Sequence, residues 1–389
     1  MNIAVLSSHP IQYQAPLFRA LAARPGVRLT ALFCHDHGVR PSHDPGFGQA
    51  IQFDTPLLEG YDHRFLPNLA PRPSIGPTGM FNPAIVSSLL DGEFDALIVH
   101  GYTSPTTILG LGGPRRRTRV LFRGESNLVI ERSMARRATK RLFLRALFSR
   151  VDHFLSIGTL NTEYLEHYGV DVSRITMAPY SVDNKYFVQE SAAARANPAP
   201  TRRRLGIPAD GVVFVSSGKL IPRKRPLDLL HAFAQSVVRT TSTIVYIGDG
   251  ELRDEIERTA HALGVGKRVV VLGFRNQSEL PAIYGAGDVL VLASESETWG
   301  LVVNEGMAAG LAPVVSDRVG AGPDLVPHDW IYPAGDVAAL GLLLEKLAGD
   351  SKALSVAKRQ ASCNIGNWGI DETADGVLKG VEAAVAPVR

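Results

Sequence analysis

The chain has 389 residues, 45% of them hydrophobic and 20% charged, with a formal charge of +3 and a mean hydropathy of +0.04. That length accommodates two domains of ordinary size, and so mild a positive charge gives no footing for nucleic-acid binding. Two cysteines, Cys34 and Cys363, make neither a disulfide framework nor a clustered thiolate metal site.

Residues 3–7 are a short apolar run with no charged segment ahead of it, which reads as a first strand and not as a secretory leader. No apolar run reaches the length that spans a bilayer, so the expectation is a cytoplasmic protein in a reducing compartment. Further strand-like runs stand at 28–33, 96–100, 119–122, 153–157, 175–178, 212–216, 243–247, 269–272, 289–292 and 313–315. Most are continuous and β-branched, as in strands buried on both faces. Helical stretches such as 15–23, 226–239, 251–263 and 300–309 alternate with them. This alternation predicts an α/β fold of two Rossmann-like, doubly wound parallel sheets. Residues 189–204, rich in Ala, Pro and Arg, read as a linker with a lead-in helix, which divides the chain into 1–188 and 189–365. Residues 41–77, rich in Pro, Gly and His, read as an irregular insertion.

Open α/β sheets bind ligands beyond the carboxyl ends of their strands, and two such domains side by side would form a cleft there. The residues at predicted strand ends are therefore the candidates. After 212–216 comes Ser217-Gly218-Lys219-Leu220-Ile221-Pro222-Arg223-Lys224-Arg225, with four cations leading into a helix. It reads as a diphosphate site or as a solvated basic turn. Gly248-Asp249-Gly250 makes a tight turn in which Asp249 caps the next helix. Glu297 and Glu305, with seven residues between them, bracket a helix opened by Gly300 and Leu301 in an apolar context. Buried carboxylates need partners, such as ligand hydroxyls. Trp299 would wall that site. In the first half, His100 ends a strand and is aimed into the cleft, and Glu125 follows the next strand as an acceptor-binding or base-like candidate. After the first strand stand His9, Gln12 and Tyr13, which line the acceptor side or pack the loop.

Taken together, these residues resemble the retaining glycosyltransferases of family 4, which have the GT-B fold. ETWGLVVNEGMAAG matches that family's paired-glutamate signature, and GKLIPRK matches its basic diphosphate loop, with Lys219 where Arg is usual. Ala178-Pro179-Tyr180-Ser181-Val182-Asp183 is similar to its hinge segment, with Tyr-Ser in place of Asn-Gly. GFRNQSELPAIYGAGDVLVLAS resembles the base-binding loop, and the chain from Trp368 resembles the helix, here 366–389, that closes back on the first domain. The turn at residues 7–16 departs from the family's glycine-rich pattern.

The resemblance implies an N-terminal acceptor domain and a C-terminal donor domain. Lys219 and Lys224 would hold the diphosphate, Glu305 the ribose, and Arg275 would lie near the base. Gly218, Gly300 and Leu301 would complete the nucleotide site. Glu297 would contact the transferred sugar without acting as nucleophile, and His100 would touch the sugar and the forming charge. The implied reaction moves a sugar from a nucleoside-diphosphate donor, UDP first and GDP second, to a hydroxyl of a saccharide, lipid-linked or small-molecule acceptor. It would serve polysaccharide or glycoconjugate biosynthesis without a metal or other cofactor. The rival readings are an epimerase or phosphorylase on the same scaffold, and a non-catalytic sugar-nucleotide binder. Residues 131–150, with Arg136, Arg137, Lys140, Arg141 and Arg145, form either a patch for the anionic inner face of a cell membrane or a solvated amphipathic helix.

Overall fold

The computed structural model describes residues 1–39, 42–44, 49–51, 53–129 and 134–386, with side chains described for all of these except 42–44, 49–51 and 134–137. The chain forms two units: Met1–Ser42 with Thr55–Tyr180 and Ile370–Arg389, and His43–Asp54 with Ser181–Gly369. The strands in chain order are β1 (Asn2–Ser7), β2 (Arg28–Phe33), β3 (Ser42–Asp44), β4 (Gln49–Ile51), β5 (Asp62–Phe65), β6 (Ala96–His100), β7 (Arg119–Arg123), β8 (His153–Ser156) and β9 (Ile175–Met177). They continue with β10 (Val213–Ser217), β11 (Thr243–Ile247), β12 (Val269–Val271), β13 (Val289–Leu292), β14 (Ala312–Ser316) and β15 (Ile331–Tyr332).

The first unit is built on a parallel sheet of order β5-β2-β1-β6-β7-β8-β9. The second has a parallel sheet of order β12-β11-β10-β13-β14-β15. Both are doubly wound, as expected from the sequence. Their strand order reverses between β1 and β6 in the first sheet and between β10 and β13 in the second. Helices on either side of such a reversal diverge, leaving the strand ends open to a ligand. The interior strands are mostly apolar because both faces are covered: β13 and β14 are buried at every residue.

The C-terminal helix Ile370–Val385 belongs to the first unit and closes one face of its sheet. Ala374, Val377, Val381 and Ala384 pack among Val5, Ala31, Leu121 and Leu155. Gly380 lets the helix come close, since a Cβ there would stand 2.4 Å from a Leu155 methyl.

Two readings of the sequence are corrected here. Residues 189–204 hold no linker: all but 197 and 198 lie in helices Asn184–Ala196 and Ala199–Arg204, and the chain passes from the first unit to the second at Ser181. The alanines that suggested a linker allow helix-to-helix contact. A Cβ on Gly285 of the facing helix would lie 2.6 Å from the Ser191 carbonyl. The insertion at 41–77 contains an edge strand, β5, whose four residues are exposed and polar apart from one Phe, so they carry no core signature. The short pair β3 and β4 also falls in it.

In the second unit, the loops after β10 and β11 meet backbone to backbone. Gly248, at φ 134°, leaves its missing Cβ 1.9 Å from the Gly218 carbonyl. Gly248→Ala should therefore destabilise the second unit by about 2–3 kcal/mol. All three tryptophans, Trp299, Trp330 and Trp368, lie in that unit. A lower midpoint in a tryptophan-fluorescence melt would show the effect. Gly266→Ala, where the nearest atom is 3.7 Å away, should leave the midpoint in place.

Candidate functional site

In the second unit, three segments converge at the order reversal. After β10, Gly218 turns at φ 138°, half-buried Lys219 follows, and residues Pro222–Lys224 make a single 3₁₀ turn. That turn aims Lys224 at the segment after β13, where its ammonium pairs with Glu297 Oε2. Both side chains are largely buried, at 19% and 13% exposure, so removing either partner would leave a poorly solvated charge. The other cations are occupied. Arg223 donates to the Ser296 carbonyl at 2.8 Å, and Arg225 binds Asp228 at 2.6 Å. The sequence suggested four cations for one anion, whereas here the two arginines fasten the loop.

Gly300, at φ 99°, opens helix Leu301–Ala308 without a capping side chain. A Cβ at Gly300 would press on Leu292 at 3.0 Å and on Glu297 at 3.3 Å. One turn on, Glu305 is 9% exposed. Tyr284 Oη donates to its Oε2 at 3.0 Å and lies 2.9 Å from Ser217 Oγ. Burial pushes the Glu305 carboxyl up from 4.5 to about 7, opposed by the Tyr284 hydrogen bond. Tyr284 and Ser217 were not anticipated, because only the fold brings the helix Leu280–Gly285 against β10 and Glu305.

Arg275 follows β12 and donates to Glu279 at 3.0 Å. Its Nε, together with Asn276 Oδ1 and Gln277 Oε1, is buried without a hydrogen-bond partner among the described residues. Buried polar atoms are usually paired, so three in a row single this segment out. Two expectations fail. Trp299 walls no site: it is 2% exposed, bonds Asn304 at 2.9 Å and stacks on Trp368 at 5.2 Å. Asp249 does not cap the following helix, whose N-cap is Leu252; it binds the Gly250 N–H and Arg253, each at 2.9 Å.

In the first unit, His100 ends β6 at the order reversal. Gln14 Nε2 lies 3.2 Å from its Nδ1, and Ser7 Oγ lies 3.0 Å from Gln14 Oε1. Burial first, then the nearby Arg123 guanidinium, push the imidazole down to about 3, so it is neutral at pH 7. Arg123 ends β7, 3% exposed, and donates to the carbonyls of Ala178 at 2.7 Å and Pro179 at 3.1 Å. Its guanidinium also stands 5.7 Å from the Tyr180 ring centre. The Tyr180 hydroxyl donates to Glu125, and the Tyr180 ring meets Tyr13 edge-on at 5.6 Å.

Glu125 and Tyr13, two acceptor-side candidates, are thus knit into one cluster. Tyr13 stands in the turn that departs from the family pattern, and Tyr180 stands where the family has Asn; the two departures are in contact. His9 is half-buried, 2.9 Å from Ser8 Oγ and edge-on to His37 at 5.2 Å. Burial first, then His37 and His35, push its ring down to about 4. Gln12 is half-buried in the same turn.

The helix Met134–Phe148 is present; residues 130–133 and the side chains of Arg136 and Arg137 lie outside the described set. Leu144, Leu147 and Phe148 pack into the core. Lys140 sits 4.7 Å from the Tyr164 ring centre. Arg141 and Arg145 are exposed, as are Leu142 at 76% and Phe143 at 43%.

Glu305 yields a pH-dependent prediction. Its folded value lies above its unfolded one, so the folded chain binds more protons between pH 4.5 and about 7. Its favourable contribution is present below pH 4.5 and lost as pH rises through 7. Glu305→Gln should remove that loss. Above pH 7 the variant should exceed the wild type by on the order of 3 kcal/mol, read from urea melts followed by tryptophan fluorescence.

Residues 199–362 match the sequence profile of the glycosyl transferases group 1. An uncharacterized glycosyltransferase of Methanocaldococcus jannaschii is 35% identical over 136 residues, 34% of this chain and 35% of that protein. A D-inositol 3-phosphate glycosyltransferase of Acidothermus cellulolyticus is 32% identical over 244 residues, 58% of this chain and 52% of that protein. The chain thus spans about a third to about half of the length of these relatives. The crystal structure of Anabaena HepE with UDP superposes with a TM-score of 0.74 at 18% identity, covering 97% of this chain and 99% of that one. Residues 199–362 are thus similar to the glycosyl transferases group 1, within a chain whose fold is that of the Anabaena structure.

Proposed function

We propose that the protein transfers a sugar from a nucleoside diphosphate to a hydroxyl of a saccharide, lipid-linked or small-molecule acceptor, with retention at the anomeric carbon, in polysaccharide or glycoconjugate biosynthesis. The observation that carries this reading is the cluster at the reversal of the second sheet. There the Lys224–Glu297 pair adjoins a glycine-opened helix that bears the buried Glu305. The helix start and the two lysines, Lys219 and Lys224, would neutralise the diphosphate as it departs, which is electrostatic stabilisation of the leaving group. That work requires no metal ion. Glu305, one oxygen taken by Tyr284, would accept from the ribose, and the orphaned atoms of Arg275–Gln277 would take the base. Glu297, bound to Lys224, is poorly placed as a free nucleophile and fits a contact to the transferred sugar. In the first unit, neutral His100 would donate to a sugar hydroxyl. UDP is the first choice of nucleotide, supported by the UDP bound in the Anabaena structure, and GDP the second.

The test is a thermal-shift panel of nucleoside diphosphates and their sugar conjugates, with and without EDTA. A ligand at a hundred times its dissociation constant stabilises by about 2.7 kcal/mol. UDP and UDP-sugars should raise the midpoint by a few degrees, with EDTA making no difference. Glu305→Ala should abolish the shift, whereas His100→Ala should keep it and lower turnover. No shift with any nucleotide, or an equal shift in Glu305→Ala, would remove the assignment.

We also propose a peripheral site of work at the inner face of a membrane. No helix among the described residues is long and apolar enough to cross one. Exposed Leu142 and Phe143, beside Arg141 and Arg145, suit the surface of an anionic bilayer. Sedimentation with phosphatidylglycerol vesicles should be lost in Leu142→Glu/Phe143→Glu; equal sedimentation of that variant would refute the contact.

A further inference from the structure

We propose that Gln14 is a positioning residue that fixes the tautomer of His100, holding the ring proton on Nε2. The inference deepens the role just given to His100 and rests on it. Its structural basis lies wholly within the first unit. β1 and β6 are neighbours in register, Leu6 opposite Val99, so Ser7 and His100 come next at the same end of the sheet. Gln14, 4% exposed, stands at the N-cap of helix Ala15–Ala22 but makes no side-chain cap. Its amide instead bridges the two strand ends, from Ser7 Oγ at 3.0 Å to His100 Nδ1 at 3.2 Å.

The chemistry of the amide gives the bridge a direction. Its nitrogen has protons to donate and no lone pair to accept with, so the ring nitrogen it meets must accept. A neutral imidazole that accepts at Nδ1 carries its proton at Nε2. Ser7, only 1% exposed, donates to the amide oxygen, which leaves the amide nitrogen facing His100. The Arg123 guanidinium, itself anchored on the Ala178 and Pro179 carbonyls, opposes a second proton on the ring. His100 is thereby kept as a hydrogen-bond donor of one defined sense. A histidine that arrived as the other tautomer would present a lone pair where a sugar hydroxyl needs a donor, which is the kind of error that a wrong tautomer introduces in other enzymes.

The experiment is nitrogen-15 NMR of the full chain with labelled histidine, His100 being assigned by the signal lost in His100→Asn. The wild type should show the Nε2–H pattern, with Nδ1 at the shift of an unprotonated ring nitrogen. Gln14→Glu places an acceptor at Nδ1, so the ring should move to the Nδ1–H form or become doubly protonated. If the glutamate variant does not fold, Gln14→Met, of similar shape and unable to donate, should give a mixture of tautomers. In sugar transfer, Gln14→Glu should lower kcat about 100-fold, with the nucleoside-diphosphate thermal shift unchanged. An Nδ1–H wild type, or a spectrum that neither variant alters, would overturn the proposal. The NMR result is read in the free protein. A fixed Nε2–H tautomer without any transfer activity would therefore sink the functional reading and leave this one standing.

Discussion

Charge buried at the end of a parallel strand must be matched or neutralised, and both candidate sites are built around that requirement. Strands covered on two faces have room only for apolar residues along their length. Polar groups collect at the ends, and the order reversals are where those ends stay open. A charge there has lost much of its water, so each interaction it makes is stronger than on the surface and each one it lacks costs more. Arg123 meets the demand with two backbone carbonyls, Lys224 with Glu297, and Glu305 by keeping its proton up to about pH 7.

The two units answer it differently. The second retains ionised groups and adds glycine, at 218, 248 and 300, so that backbone can approach backbone and a helix can begin uncapped. Such a surface suits a polyanion. The first unit surrounds Arg123 and Glu125 with aromatic and neutral groups. Tyr13, Tyr180 and a neutral His100 surround Arg123, and burial holds both phenols well above the ordinary tyrosine range. Such a surface suits uncharged hydroxyls, as on a saccharide.

This contrast bears on the turn after β1. The family's glycine-rich pattern is absent there, yet the turn has a definite job. Tyr13 packs on Tyr180, and Gln14 bridges Ser7 and His100. The larger side chains supply contacts that a glycine turn would have left to backbone, and they rigidify the end of the sheet that carries His100.

The sequence alone determined the fold class, because continuous β-branched runs alternating with helices are compatible with little else. It also singled out His100, at the end of such a run, and Lys224, Glu297 and Glu305, in the segments that follow two others, as candidates. It could not determine which neighbours those residues meet. The edge strand β5 is polar and exposed, and the alanines of 184–196 are identical in composition to a linker, so neither declared itself. Trp299 read as a site wall and proved to be core, because stacking on Trp368 joins residues 69 positions apart. Tyr284 against Glu305, Tyr180 against Glu125 and Gln14 against His100 were likewise decided by tertiary structure. Periodicity reports which face of an element is buried, whereas a hydrogen bond between side chains depends on distances that only packed elements set.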